Sequence, residues 1–221
     1  MDRDSDKMAA ALAAADEVRD GMVVGLGSGS TAAFLIAELG RRSLRIETVA
    51  SSLRSESLAR DAGIVVRAMD DVESVDLAID GVDEVDSALR AIKGGGGAML
   101  REKIVATSAR RMIAIADGSK RVDRLGTAPV PVETLPFAQA FVAARVRMIG
   151  GNPVLRQNYR TDQGNIVLDC HFGAITNPAD LASSLAAIPG MLGHGLFLDE
   201  IDALYIADQG VASRVERAAP V

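Results

Sequence analysis

Met22-Val23-Val24-Gly25-Leu26-Gly27-Ser28-Gly29-Ser30-Thr31 is a short apolar run that opens into a glycine loop, and the Ala- and Leu-rich stretch Ala32 to Leu39 follows directly. This order predicts a strand, a tight loop and a helix, with Gly40 as the helix stop. The same alternation continues downstream. Ile46 to Val49, Ile64-Val65-Val66, Leu77-Ala78-Ile79 and Met112 to Ala116 read as strands, with Ser52 to Ala62 and Ala98 to Arg110 as helices among them. Met8 to Val18 has a helical composition ahead of the first strand. Strands alternating with helices across short connections indicate a parallel sheet covered on both faces.

The expected class is therefore α/β: a Rossmann-like parallel sheet with helices on both faces, plus a smaller α+β domain. The texture changes at Gly126, where Pro129, Pro131 and Pro136 crowd a segment poorly suited to a central strand. A helix from Phe137 to Met148, a strand from Asn165 to Cys170, a helix from Asp180 to Ala187 and apolar runs at Gly195 to Leu198 and Ala203 to Ile206 follow. The expected limits are residues 1–126 with a C-terminal segment of about 204–221 for the first domain, and 127–203 for the second. The tail after Gly210 fits either a final strand or a helix.

Composition narrows the partners. Of 221 residues, 48% are hydrophobic and 24% charged, the balance of an ordinary globular protein. Aromatics make up only 3%, with no Trp, which argues against a stacking platform for bases. A net charge of −6 without a basic run argues against nucleic acid as partner. No apolar stretch reaches membrane-spanning length, and Met1-Asp2-Arg3-Asp4-Ser5-Asp6-Lys7 is too polar for a secretory signal. The chain reads as cytoplasmic. Cys170 is the sole cysteine, so no intramolecular disulfide forms, and its apolar neighbours Ile166-Val167-Leu168 point to a buried structural thiol.

Three segments carry the chemistry. The loop Gly25 to Thr31 fails as a P-loop, because Gly29 rather than lysine precedes Ser30-Thr31, and fails as a dinucleotide fingerprint, because its glycines fall at 25, 27 and 29. What remains is a helix N-terminus lined by Ser28, Ser30 and Thr31, where unpaired amides and the helix dipole suit a phosphate monoester. The alternative is that Ser30 or Thr31 simply caps the helix. The second segment, Asp80-Gly81-Val82-Asp83-Glu84-Val85-Asp86, packs four carboxylates into seven residues at a strand end. A magnesium or calcium site and a solvated acidic turn both fit it, although the spacing does not match a calcium loop. The third is Lys93-Gly94-Gly95-Gly96-Gly97-Ala98-Met99-Leu100-Arg101-Glu102-Lys103. Four bare glycines let backbone N–H groups approach a ligand, Lys93 offers a charge for a developing oxyanion, and Glu102 offers a base. His171 and His194 belong to no metal cluster, and no Gly-x-Ser-x-Gly elbow is present.

Together these stretches resemble ribose-5-phosphate isomerase of the type A family, in the family's order. Ile115-Ala116-Asp117-Gly118-Ser119-Lys120 and Pro131-Val132-Glu133 add two further matches. Ser28 stands where threonine is usual, Val82 where alanine is usual and Gly118 where alanine is frequent, and none of these removes a functional group. The resemblance implies interconversion of ribose 5-phosphate and ribulose 5-phosphate without metal or cofactor. It implies Glu102 as the base, Lys93 with the amides of Gly94, Gly95, Gly96 and Gly97 as partners of the enediolate oxygen, and Asp80 and Asp83 as handlers of hydroxyl protons. It also implies a phosphate site of Lys7, Gly27, Ser28, Gly29, Ser30 and Thr31, with Lys120 adding charge, in a homodimer or homotetramer.

Two rivals share the scaffold. A sugar-phosphate-sensing domain needs the cradle but not Lys93 with Glu102, and is usually preceded by a DNA-binding module for which about twenty residues leave no room. An amino-sugar phosphate isomerase or deaminase favours a histidine near the site, and neither histidine lies in a glycine loop.

Overall fold

The computed structural model describes residues 3–218. In chain order the elements are α1 (Arg3–Ala15), β1 (Val23–Leu26), α2 (Gly29–Arg42), β2 (Glu47–Ala50), α3 (Leu53–Asp61), β3 (Val65–Val66), β4 (Leu77–Gly81), β5 (Glu84–Val85) and β6 (Ala91–Ile92). Then follow α4 (Met99–Ser108), β7 (Met112–Asp117), β8 (Val130–Thr134), α5 (Gln139–Met148), β9 (Asn152–Leu155), β10 (Ile166–His171), α6 (Pro178–Ala186), β11 (Met191–His194), β12 (Leu196–Phe197), β13 (Ala203–Asp208) and β14 (Val211–Glu216). The chain divides into two compact units. One takes the chain as far as Val82, Arg101–Lys120, and the part from Asp199 onward; the other takes Asp83–Leu100 and Arg121–Leu198.

The first unit carries a sheet in the order β14-β13-β7-β4-β1-β2-β3, parallel except for the antiparallel edge β13–β14. Alternation along β1 shows how it is covered. Val24 and Leu26 join Ala10 and Ala14 of α1, Leu35 and Ile36 of α2 and Ala59 of α3 in one core. Gly25 faces the other way, where a Cβ would stand 2.5 Å from Val105 Cγ1 of α4. Helices thus pack on both faces, as alternating strands and helices predict.

One local expectation changes, and one open alternative resolves. Gly40 does not end α2; the helix runs on to Arg42 and stops at Ser43 in the left-handed region (φ 52°). Gly40 is instead a close-packing position, because a Cβ there would meet Ala62 Cβ at 2.8 Å. After Gly210 the strand alternative holds, with Val211–Glu216 forming β14.

The second unit holds an antiparallel sheet, β11-β8-β10-β9, and a small sheet, β12-β6-β5. Contrary to the reading from proline content, β8 contains Pro131 and lies between two partners. The Pro131 carbonyl accepts from Gly195 N–H, so the missing proline N–H falls on the β11 side, where the ladder has already ended at His194. No ladder bond is lost there. Compared with the expected limits, residues 83–100 and 121–126 pack in this second unit. β5 and β6 pair with each other and β6 with β12, while Glu84 accepts from the N–H groups of Gly126 and Ala128.

Cys170 is buried in this unit's core, among Val132, Val142 and Leu168. Burial, and then the neighbouring Asp169 charge, push the thiol up to about 12. At pH 8 only about one thiol in 10⁴ is then ionised. A disulfide reagent should label Cys170 quickly in denaturant and negligibly in native protein; prompt native labelling would contradict this burial. Among the described residues no helix is long and apolar enough to cross a membrane.

Candidate active site

In the first unit the strand order reverses between β1 and β4, the place where open α/β sheets bind ligands beyond the carboxyl ends of their strands. Leu26 pairs with Ile79, so the loop after β1 and Asp80 of β4 sit side by side at that edge. Ser28 is the N-cap of α2, yet its hydroxyl caps nothing. It donates instead to Glu102 Oε1 at 2.5 Å. Ser30 and Thr31 do not cap either; they lie in the first turn, Ser30 exposed and Thr31 half-buried. N–H groups of a first helical turn have no intrahelical partner, and the dipole there favours an anion.

Asp80 ties the two loops together. It is only 5% exposed, and its Oδ1 accepts from Ser28 N–H at 2.9 Å and Gly81 N–H at 2.7 Å. Gly27 makes this possible, because a Cβ there would stand 2.1 Å from that oxygen. Ser55 Oγ braces the loop from α3 by donating to the Gly27 carbonyl at 2.6 Å. Glu102, 4% exposed, sits in the first turn of α4. Its neighbour Lys103 pairs with Glu200 at 2.6 Å. Burial raises the Glu200 carboxyl, but the charge and hydrogen bond of Lys103 outweigh it and hold the group below its ordinary range. Lys120 ends a short 3₁₀ turn after β7, the strand next to β4, and so shares the carboxyl edge with Asp80. Lys7 lies on α1, which packs on α2 through the alanines of the core, and its ammonium is paired with Asp4 at 2.8 Å.

In the second unit, Lys93 follows β6 and is 2% exposed, its ammonium 5.4 Å from the centre of the Phe197 ring. Cation–π attraction stabilises a charge held there. Asp83 Oδ2 accepts from Gly95 N–H at 2.7 Å. Gly94 (φ 97°) and Gly97 (φ 80°) adopt the left-handed backbone that glycine alone takes without strain. The remaining carboxylates of the acidic run serve structure. Glu84 caps the Gly126–Ala128 turn, and Asp86 accepts from Ala88 N–H and from the backbone and guanidinium of Arg90. Among the described residues no group of three His, Cys, Asp or Glu is placed to hold a metal ion. His194 Nδ1 accepts from Leu196 N–H, and His171 is exposed at the end of β10.

Arg156 and Tyr159 are found only by the fold. Arg156 Nη1 donates to the Gly95 carbonyl at 3.1 Å and Tyr159 Oη to the Gly96 carbonyl at 2.7 Å. They lie 61 and 63 residues from the glycines they touch, in a loop without a motif, so spacing carries no sign of them. Glu133 is visible as part of a matching stretch, but its task is not. Fully buried, it accepts from Thr161 Oγ1 and Asn165 Nδ2, both at 2.8 Å, and fixes the far end of that loop.

The fold is an open α/β sheet whose carboxyl edge brings the N-terminus of α2 together with Asp80 and Glu102. The family model for ribose 5-phosphate isomerase A (phosphoriboisomerase A) matches residues 47–210, and the chain belongs to that family. It is 48% identical over 210 residues to the ribose-5-phosphate isomerase A of Sphingopyxis alaskensis, covering 92% of each chain. The crystal structure of ribose 5 phosphate isomerase A from Neisseria gonorrhoeae superposes with a TM-score of 0.96 at 36% identity, over 99% of both chains. A further D-ribose-5-phosphate isomerase, 34% identical with a TM-score of 0.95 over 98% of this chain and 100% of that one, was solved in complex with phospho-erythronic acid.

Proposed function

We propose that the chain interconverts D-ribose 5-phosphate and D-ribulose 5-phosphate by base-catalysed proton transfer through an enediolate. The observation that carries this reading is the 2.5 Å bond from Ser28, at the mouth of the amide-lined helix terminus, to the buried Glu102 carboxylate. It supports the reading of Glu102 as a base beside an anion cradle, the minimum needed to anchor a phosphate and remove a proton from a carbon of the same molecule.

In this reading Ser30, Thr31 and the first-turn amides of α2 hold the phosphate, with Lys7 and Lys120 adding charge. Glu102 carries the proton between C2 and C1. Lys93 and the glycine-run amides stabilise the oxygen on which charge develops. Asp80 and Asp83 handle hydroxyl protons, those of ring opening included. The phospho-erythronic acid bound by the relative is a phosphorylated sugar acid, the class of ligand this scheme requires. We further propose a cytoplasmic homodimer or homotetramer. The exposed Phe137, Phe141 and Met148 support self-association, and sedimentation of the purified protein checks it.

Metal-stripped protein incubated with ribose 5-phosphate in deuterated water tests the chemistry. Ribulose 5-phosphate with carbon-bound deuterium is expected. Binding without conversion would favour a sugar-phosphate sensor, and conversion only on restoring a metal would overturn the cofactor-free mechanism. The cradle has its own test in Thr31→Ala. Losing one charged hydrogen bond of about 1.5 kcal/mol should raise KM roughly 10-fold. Unchanged KM and kcat would put the phosphate elsewhere.

A further inference from the structure

Resting on the isomerase reading above, we infer that Arg156 is a positioning residue that aims the Gly96 amide at the developing enediolate oxygen. The peptide plane couples the directions of its two polar groups. Every described peptide is trans, so the C=O and N–H of one peptide unit point in opposite directions. Arg156 Nη1 holds the Gly95 carbonyl at 3.1 Å, which turns the N–H of the same unit, that of Gly96, to the opposite side. The two neighbouring units are already committed. The Gly95 N–H goes to Asp83 Oδ2 at 2.7 Å and the Gly97 N–H to the Gly94 carbonyl at 2.8 Å. Among the described residues, Gly96 therefore supplies the amide of the run whose direction Arg156 sets and whose bond neither neighbouring unit takes.

The anchor is built to hold that direction. The Arg156 guanidinium is clamped by Asp169 through Nε at 2.9 Å and Nη2 at 2.5 Å, a bidentate fork that fixes its plane. The remaining N–H groups reach the glycine carbonyls, with Gly94 at 3.4–3.5 Å as well. Tyr159 holds the next carbonyl, Gly96, and lies over Gly97, where a Cβ would stand 2.1 Å from its oxygen. Arg156 stacks on the same ring at 5.2 Å, so the two anchors move as one. A guanidinium on the carbonyl also polarises the peptide and strengthens its N–H as a donor. A glycine run without these anchors has the widest backbone freedom of any sequence.

The test compares Arg156→Gln, Arg156→Lys and Tyr159→Phe with wild type, all checked by circular dichroism and thermal melting. An aimed donor acts on the transition state more than on bound substrate, so kcat should fall about 10- to 100-fold with KM nearly constant in Arg156→Gln. Affinity for phospho-erythronic acid, whose carboxylate places negative charge where the enediolate oxygen forms, should fall by a similar factor. Tyr159→Phe, which deletes a single oxygen, should show the same split at smaller size, and it carries the test if both Arg156 variants fail to fold. Unchanged kcat in the folded variants, or a higher KM alone, overturns the inference. Wild type inactive on ribose 5-phosphate would instead overturn the isomerase reading on which it rests.

Discussion

Glu102→Gln should lower kcat by about 10²–10⁴-fold while KM for ribose 5-phosphate changes less than about threefold. The substitution is nearly isosteric, and the amide oxygen still accepts from Ser28, so the α4 terminus and the cradle keep their arrangement. What disappears is basicity. A proton next to a carbonyl is weakly acidic, and Asp80, the other carboxylate within reach of the cradle, is held by the N–H groups of Ser28 and Gly81. Steady-state kinetics together with deuterium exchange into substrate check the prediction. Exchange continuing at the wild-type rate in this variant would remove Glu102 from the proton path.

Gly27→Ala should be nearly as damaging, for a different reason. The new methyl would lie 2.1 Å from Asp80 Oδ1, 2.3 Å from Cγ and 2.5 Å from Cα. The last is backbone of a central strand and cannot swing aside. Overpacking of this kind costs about 1–3 kcal/mol or more, which for a chain of this size lowers Tm by roughly 2–12 °C. Displacing Asp80 and the Ser28 amide by about 1 Å should cost about 100-fold in kcat/KM. Gly63→Ala is the control, outside the site: nothing lies within 4 Å of its Cβ, and only the left-handed backbone (φ 78°) is strained, at a cost of about 1 kcal/mol. Equal losses of kcat/KM from both substitutions would mean that general destabilisation, not the Gly27–Asp80 contact, accounts for the effect.

The parallel sheet was legible because each strand is an apolar run closed by a helix, and buried parallel strands leave that signature in any order of reading. β5 and β6 escaped, since two-residue strands carry no period; they exist because β6 finds β12, about 100 residues on. β8 was discounted for its prolines, whose harm depends on which edge the missing N–H meets, a matter of register rather than composition. Gly40 shows the same limit: glycine for close packing and glycine for a helix stop look identical in one dimension. At the site, the cradle, Asp80, Lys93 and Glu102 stood out as unusual residues in short stretches. Arg156, Tyr159 and Glu133 did not, because their meaning lies in what they hold.

β13 lies inside the large sheet, between β7 and β14, although residues 121–198 of the other unit separate it in sequence from its neighbour β7. Vectorial synthesis therefore delivers a central piece long after the strand it pairs with. Until residues 203–208 leave the ribosome, β7, six residues buried without exception, presents a bare hydrophobic edge to everything around it. Nascent chains stalled before that point are predicted chaperone clients and aggregation seeds. A stop codon placed before residue 199 should abolish soluble protein rather than yield a shortened enzyme, and expressing 199–218 in trans offers a direct route to rescue.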